Sequence, residues 1–213
     1  MALLDELRNN IVNGNPDGAK EVTQKALREG LKVGKILNEG LIAGIHEVGE
    51  KFGRSEIFLP ELLVSGLAMK GAVEILKPFL SDQGVKTAGK ALIATVRGDL
   101  HDIGKNLVAM MLEGGGFEVI DLGIDIPAEK IIKAAQEQKA HLVCLSSLLT
   151  TTMPAMKEVV QGLQKAGLRK KVKVMIGGAP ITQKYADEIG ADGYAADAPS
   201  AVKKAKELMA GIH

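Results

Sequence analysis

The sequence predicts an α + α/β protein: an N-terminal four-helix bundle, then a five-stranded parallel sheet with helices flanking it. Three observations predict it. From Ala2 to Leu80 apolar residues recur at helical spacing, with no stretch of β-branched alternation. Between Ser81 and Lys90 the segment SDQGVKTAGK carries few apolar residues and two glycines, the composition of a domain linker. After Lys90 short apolar runs alternate with amphipathic stretches, the pattern of strands joined by right-handed helical crossovers. The expected domains are therefore 1–85 and 90–213.

In the first domain, a helix from Leu3 to Val12 ends in the turn Asn13-Gly14-Asn15-Pro16, where the Asp17 carboxylate is placed to cap the next helix. That helix runs to about Gly30. The third aligns Val33, Ile36, Leu37, Leu41, Ile45 and Val48 on one face and stops near Gly53. A fourth begins around Pro60, tolerated in a first helical turn, and its expected face is Leu63, Leu67, Val73, Leu76 and Phe79. None of these helices can bury its apolar stripe alone, so they pack as a bundle.

In the second domain the strands are Ala91–Val96, Glu118–Leu122, Leu142–Ser146, Val172–Ile176 and Gly193–Ala196. The helices between and after them are His101–Glu113, Ala128–Gln138, Pro154–Ala166, Gln183–Ile189 and Ser200–Met209. Five parallel strands most often take the order 2-1-3-4-5, and a ligand then enters where strands 1 and 3 diverge at their carboxyl ends. This is a Rossmann-like, more narrowly flavodoxin-like, arrangement. It makes Arg97–Asp102 and Ser146–Met153 the loops that matter.

Composition narrows the function. Four Phe, two Tyr and no Trp supply few stacking platforms, and a net charge of +1 gives no field to attract phosphates, so nucleic acid is not an expected partner. A single cysteine, Cys144, cannot form an internal disulfide, and the start MALLDELRNN lacks the basic and apolar regions of a secretion signal; a cytoplasmic location is expected. No apolar run approaches the roughly 18 residues of a membrane span.

The first loop reads Gly98-Asp99-Leu100-His101-Asp102-Ile103-Gly104-Lys105-Asn106. It is neither a dinucleotide fingerprint nor a phosphate loop. An imidazole can ligate a metal through one nitrogen while the other N–H donates to a carboxylate, and Asp99 and His101 are the residue types for that pair. A helix start at His101, capped by Asp99, is the commoner meaning of a bare Asp-x-His. The second loop places five hydroxyls in the seven positions Ser146–Thr152, more than helix capping needs. Strand 4 ends in Gly177-Gly178, where missing side chains leave room against the sheet edge.

The string Asp99-x-His101-x-x-Gly104, followed by Ser146-x-Leu148 and Gly177-Gly178, resembles the signature of cobalamin-binding domains that hold the cofactor base-off/His-on. The helical half resembles the same proteins: Val48-Gly49-Glu50-Lys51-Phe52-Gly53-Arg54-Ser55-Glu56-Ile57-Phe58-Leu59-Pro60-Glu61-Leu62 is similar to the cap segment of methionine synthase and of the corrinoid proteins of methyltransferase systems. The resemblance implies that His101 is the lower axial cobalt ligand, that Asp99 is its hydrogen-bond partner, and that Thr152 extends the relay. It implies a cofactor surface of Gly98, Asp102, Ile103 and Leu148, with Ser146 and Thr150 on the displaced nucleotide tail and Gly104, Gly177 and Gly178 leaving room for it. Phe58 and Leu62 would cover the upper, methyl-bearing face.

The implied function is one-carbon transfer. A corrinoid in the cob(I)alamin state takes a methyl group from a donor-specific methyltransferase, and the resulting methylcob(III)alamin passes it to an acceptor methyltransferase, for a thiol or tetrahydrofolate. A reductive activation protein is the third implied partner. Because Co(I) prefers no axial ligand, proton uptake at Asp99–His101 can accompany demethylation. The cap must move to admit partners, with Gly84 and Gly89 as expected hinges. The alternatives are the small subunit of an adenosylcobalamin mutase, which generally lacks such a cap, and a cobalamin-sensing regulator, which needs an output domain. Outside these motifs, Cys144 reads as a small core residue, Gly114-Gly115-Gly116 as a helix stop, and Arg169-Lys170-Lys171 as a solvated turn.

Overall fold

The computed structural model describes residues 2–80 and 87–211, and the chain divides into two compact units, the first formed by residues 1–86 with 113–116 and the second by residues 87–112 with 117–213. Most of the expected linker, with its hinge Gly84, lies outside the described residues. Gly89, the other expected hinge, pairs with Phe117 as the first residue of a strand.

The helical unit comprises α1 (Ala2–Val12), α2 (Pro16–Arg28), α3 (Val33–Lys35), a π-helical segment (Ile36–Ile42), α4 (Ala43–Gly53) and α5 (Leu59–Leu80). The expected third helix is thus one rod, α3 through α4, with a π segment inside it. Two glycines seat α1 against this rod. A Cβ on Gly40 would lie 2.8 Å from the Leu7 side chain, and one on Gly44 2.8 Å from that of Ile11, so the backbones approach as only glycine permits. Arg8 and Glu47, 2.7 Å apart, join the same two elements.

Two expectations are corrected in this unit. Asn15, not Asp17, caps α2: its side chain accepts the Gly18 N–H at 3.1 Å, because Pro16 takes the first helical position and the cap is the residue before it. The phase of α5 also differs. Leu62, Ala68, Met69, Ala72, Val73 and Leu76 are buried, whereas Leu67 and Phe79 are exposed. The inward face is marked by small residues that allow close packing, which a hydrophobicity pattern does not register; a Cβ on Gly71 would lie 2.5 Å from Lys20 of α2.

The second unit contains β1 (Gly89–Thr95), α6 (Ile103–Gly114), β2 (Phe117–Asp121), α7 (Ala128–Glu137), β3 (Leu142–Ser146), α8 (Met153–Lys165), β4 (Lys173–Gly177), α9 (Gln183–Ile189), β5 (Gly193–Ala195) and α10 (Ala198–Ala210). The sheet is parallel throughout and ordered β2-β1-β3-β4-β5, as the sequence predicts. Successive strand residues face opposite ways. Leu92, Ala94, Val143, Leu145, Val174 and Ile176 pack with residues of α7, α8 and α9. Ala91, Ile93, Leu142, Cys144 and Met175 pack with residues of α6 and α10. Burial of both faces is why the strands read as continuous apolar runs. No helix of the described residues is long and apolar enough to cross a membrane.

Cys144 is buried, and desolvation pushes its thiol up to about 12. The thiolate is the reactive form, so the native protein should not react with a thiol-specific disulfide reagent at pH 8, and one equivalent should react after denaturation. Fast labelling of the native state would contradict this burial. The turn before β4 is not simply solvated. Arg169 donates to Asp192 at 2.6 Å, to the Val172 carbonyl at 2.9 Å and to the Gly190 carbonyl at 2.8 Å, tying the ends of β4 and β5 together.

Candidate functional site at the sheet edge

Two loops meet where the sheet order reverses, one after β1 and one after β3. Their meeting point is the Asp99 carboxylate, which is fully buried. Its Oδ1 accepts the His101 ring at Nδ1 (2.7 Å) and the His101 backbone N–H (3.1 Å). Its Oδ2 accepts the Leu148 N–H at 2.7 Å, the Leu149 N–H at 3.3 Å and the Thr152 hydroxyl at 2.8 Å. Burial alone would raise the Asp99 pKa, but these donors, the Leu148 amide foremost, outweigh it and hold the carboxyl well below the usual carboxylate range.

An ionised carboxylate only accepts, so the His101 proton sits on Nδ1 and the Nε2 lone pair is left outward. The ring is half exposed, and no hydrogen bond among the described residues engages Nε2. Two readings of Asp99 were open in the sequence, helix capping and histidine orientation. The structure shows the second. The helix α6 starts later, at Ile103, and His101 lies in the loop before it.

Thr152 joins this network as the sequence reading anticipates, and Ser147, which that reading passes over, extends it: the two hydroxyl oxygens are 2.8 Å apart. With the Thr152 hydroxyl donating to Asp99, the Ser147 hydroxyl donates to Thr152. Ser147 and Thr152 therefore account for two of the five hydroxyls. Ser146 is half-buried and Thr150 exposed, and neither hydroxyl is held by a side-chain hydrogen bond among the described residues.

The glycines divide in their reasons. Gly178 has φ +132°, and a Cβ there would lie 1.9 Å from the Ser147 carbonyl oxygen; a Cβ on Gly177 would lie 2.9 Å from the Ala195 carbonyl. In both, the direction a Cβ would take is filled by the chain's own backbone, while the glycines themselves stay partly exposed. Gly104 differs, since a Cβ there would meet nothing within 4 Å. Asp102 accepts from Asn106 at 3.1 Å, and Gly98, with φ +83°, turns its N–H to the Asp125 carboxylate at 2.7 Å. In the helical unit, Phe58 is 70 % exposed, whereas Leu62 is fully buried. Leu62 cannot present a covering surface because it falls on the inward side of the first turn of α5; this too corrects the expectation.

Around His101, Leu100, Ile103, Ile124, Leu148 and Leu149 all expose apolar side chains at the carboxyl edge of the sheet. Contiguous exposed apolar groups mark a ligand surface. An outward Nε2 lone pair at such an edge fits a flat metal-bearing macrocycle. Lys105 was also missed: it is buried in the first turn of α6 and pairs with Asp121 and Asn106.

Comparison with known proteins agrees with this geometry. Residues 89–203 match the family described as B12 binding domain, and residues 3–77 match a second family of the same description. The chain is 45 % identical over 210 residues to the dimethylamine corrinoid protein of Methanosarcina barkeri, covering 98 % of each chain. It is 43 % identical over 212 residues to a corrinoid protein of Desulfitobacterium hafniense, again covering 98 % of each. Among solved structures it is similar to one chain in the methanol:cobalamin methyltransferase complex of Methanosarcina barkeri, with TM-score 0.85, 32 % identity, and coverage of 99 % of this chain and 80 % of that one. A cobalamin-binding protein of Desulfitobacterium hafniense gives TM-score 0.80 at 33 % identity, covering 96 % and 98 %. The Asp99–His101 pair at the switch point of a B12-binding sheet, preceded by a helical B12-binding unit, belongs to a chain that is a member of the corrinoid protein family.

Proposed function

We propose that this protein is a methyl carrier that holds a corrinoid with His101 as the lower axial ligand and serves between two methyltransferases. The observation that carries the reading is the His101 ring, locked at Nδ1 by buried Asp99 and open at Nε2. When bound, the corrinoid supplies a cobalt centre that takes up and releases a methyl group. The chain's own residues do the rest. Asp99 fixes the tautomer and aims Nε2; Thr152 and Ser147 fix Asp99; the exposed leucines and isoleucines exclude water from the macrocycle face. Ser146 and Thr150 would hold the nucleotide tail, and the exposed ring of Phe58 would cover the methyl-bearing face.

Relatives named for methylamines, at 39–45 % identity, make a methylated amine the first donor to test, delivered by a donor-specific methyltransferase. An acceptor methyltransferase and a reductive activation protein complete the proposed set of partners. The mutase-subunit alternative is disfavoured by the helical family match at residues 3–77.

The decisive experiment compares the absorption spectra of the methylcobalamin-loaded protein and of H101A. The wild type should show an axially ligated spectrum with the nucleotide base displaced, and H101A a base-off spectrum without nitrogen ligation. Identical spectra would overturn the assignment of His101.

A further inference from the structure

The His101 loop is held from below by a second loop that its sequence motif does not include. After β2 the chain continues alongside the end of β1: the Thr95 N–H donates to the Gly123 carbonyl at 3.0 Å, and the Ile126 N–H to the Thr95 carbonyl at 3.0 Å. This pairing carries Asp125 to the start of the His101 loop. There Asp125 grips two successive residues in opposite senses. Its backbone N–H donates to the Asp99 carbonyl at 3.1 Å, and its carboxylate Oδ1 accepts the Gly98 N–H at 2.7 Å. The far end of the same loop is pinned by the buried Thr95 hydroxyl, which donates to the His101 carbonyl at 2.8 Å.

Asp125 makes this double contact in a left-handed conformation, φ +53°, which a non-glycine residue adopts at a cost and which Asp and Asn tolerate best. Strain of this kind persists where the surroundings impose it and clusters beside functional groups. Asp125 itself is exposed, so its side chain contributes little burial energy; what it visibly does is fix the Gly98–Asp99 backbone.

We propose that Asp125 is a positioning residue for the axial histidine. By holding Gly98 and Asp99 at once, it sets the direction from which Asp99 meets His101 Nδ1, and hence how often Nε2 is engaged in the loaded protein. The inference rests on His101 being the axial ligand. Imidazole ligation to a metal is directional, and a loop freed to shift by a fraction of an ångström loses orientation before it loses the ligand.

The test compares wild type, D125A, D125G, D125N and H101A, each loaded with cobalamin and reduced to Co(II). Electron paramagnetic resonance of that state reads the fraction carrying axial nitrogen from the protein, with histidine-selective 15N labelling to identify the nitrogen. In the cofactor-free proteins, 15N resonances of the His101 ring report the Nδ1–H contact with Asp99 directly. D125A and D125G should both raise the histidine-off fraction several-fold and disturb the ring resonances. D125N, whose Oδ1 still accepts and whose backbone tolerates the same φ, should return both readouts close to wild type. D125G relieves the backbone strain while removing the carboxylate, so a wild-type result in D125G together with a defective D125A would overturn the proposal in favour of backbone conformation alone. Wild-type spectra in both D125A and D125G, with H101A altered, would overturn it while leaving His101 as ligand. An unaltered H101A would instead remove the reading on which it rests.

Discussion

Asp99→Ala should unfold the second unit far more easily than the wild type, by about 3–5 kcal/mol in denaturant titration. The reason is the number of donors that one buried carboxylate satisfies. Removing it strands the Leu148 and Leu149 amides and the His101 N–H, part-buried donors that each lose about 1 kcal/mol or more when left unpaired; the Thr152 hydroxyl alone has a substitute, the Leu149 carbonyl at 2.9 Å. Asp99→Asn is the more instructive variant. An amide accepts at one end and donates at the other, whereas Asp99 accepts at both. If the amide NH2 faces Leu148 and Thr152, donors oppose donors. If it faces His101, the ring must accept at Nδ1, and its proton moves to Nε2, where it blocks ligation. Ring 15N shifts in the cofactor-free D99N protein distinguish the two. A D99N variant with wild-type stability and an unprotonated Nε2 would refute the hub role of Asp99.

Gly178→Ala should cost about 2–5 kcal/mol, from steric overlap and a disfavoured backbone conformation together. Its Cβ would sit 1.9 Å from the carbonyl oxygen of Ser147. That carbonyl belongs to a strand end whose N–H already donates to Gly177 at 3.2 Å, so relief requires the β3 loop to retreat and stretches the Leu148–Asp99 hydrogen bond. Gly104→Ala is the matched control. Nothing lies within 4 Å of its Cβ, and in the first turn of α6 alanine should be neutral or stabilising by up to about 1 kcal/mol. Thermal melts of the two cofactor-free variants check the contrast, and equal melting temperatures would contradict it. Loss of corrinoid affinity in G104A alone would report ligand contact at Gly104.

The sheet was legible because burial of both faces writes each strand as an apolar run, and β3 begins and ends at the expected residues, Leu142 and Ser146. Strand order followed from the fold class. The Asp99–His101 pair was legible as residue types at a predicted loop, and Thr152 through the family resemblance. What the sequence withheld were contacts made by backbone. The Leu148 amide on Asp99, the Ser147 carbonyl against Gly178 and the Asp125 grip on Gly98 involve groups every residue carries, so no residue type signals them. The phase of α5 was misread for a related cause: its inner side is lined by Ser65, Ala68 and Ala72, small residues whose value lies in the approach they allow.

The π segment at Ile36–Ile42 has a consequence for the shape of the seam with α1. Along the rod from α3 to α4 two files of buried residues advance in fours: Val33, Leu37, Leu41, Ile45 and Gly49 in one, Ile36, Gly40, Gly44 and Val48 in the other. In a regular α-helix, at about 3.6 residues per turn, a step of four overshoots a full rotation by about 40°, and four such steps would wind the file nearly to the opposite side. A stretch with wider turns takes up that surplus rotation. The files then run as a straight stripe instead of a spiral, and one straight neighbour can lie along the π segment and α4, its Leu7 and Ile11 nested on Gly40 and Gly44.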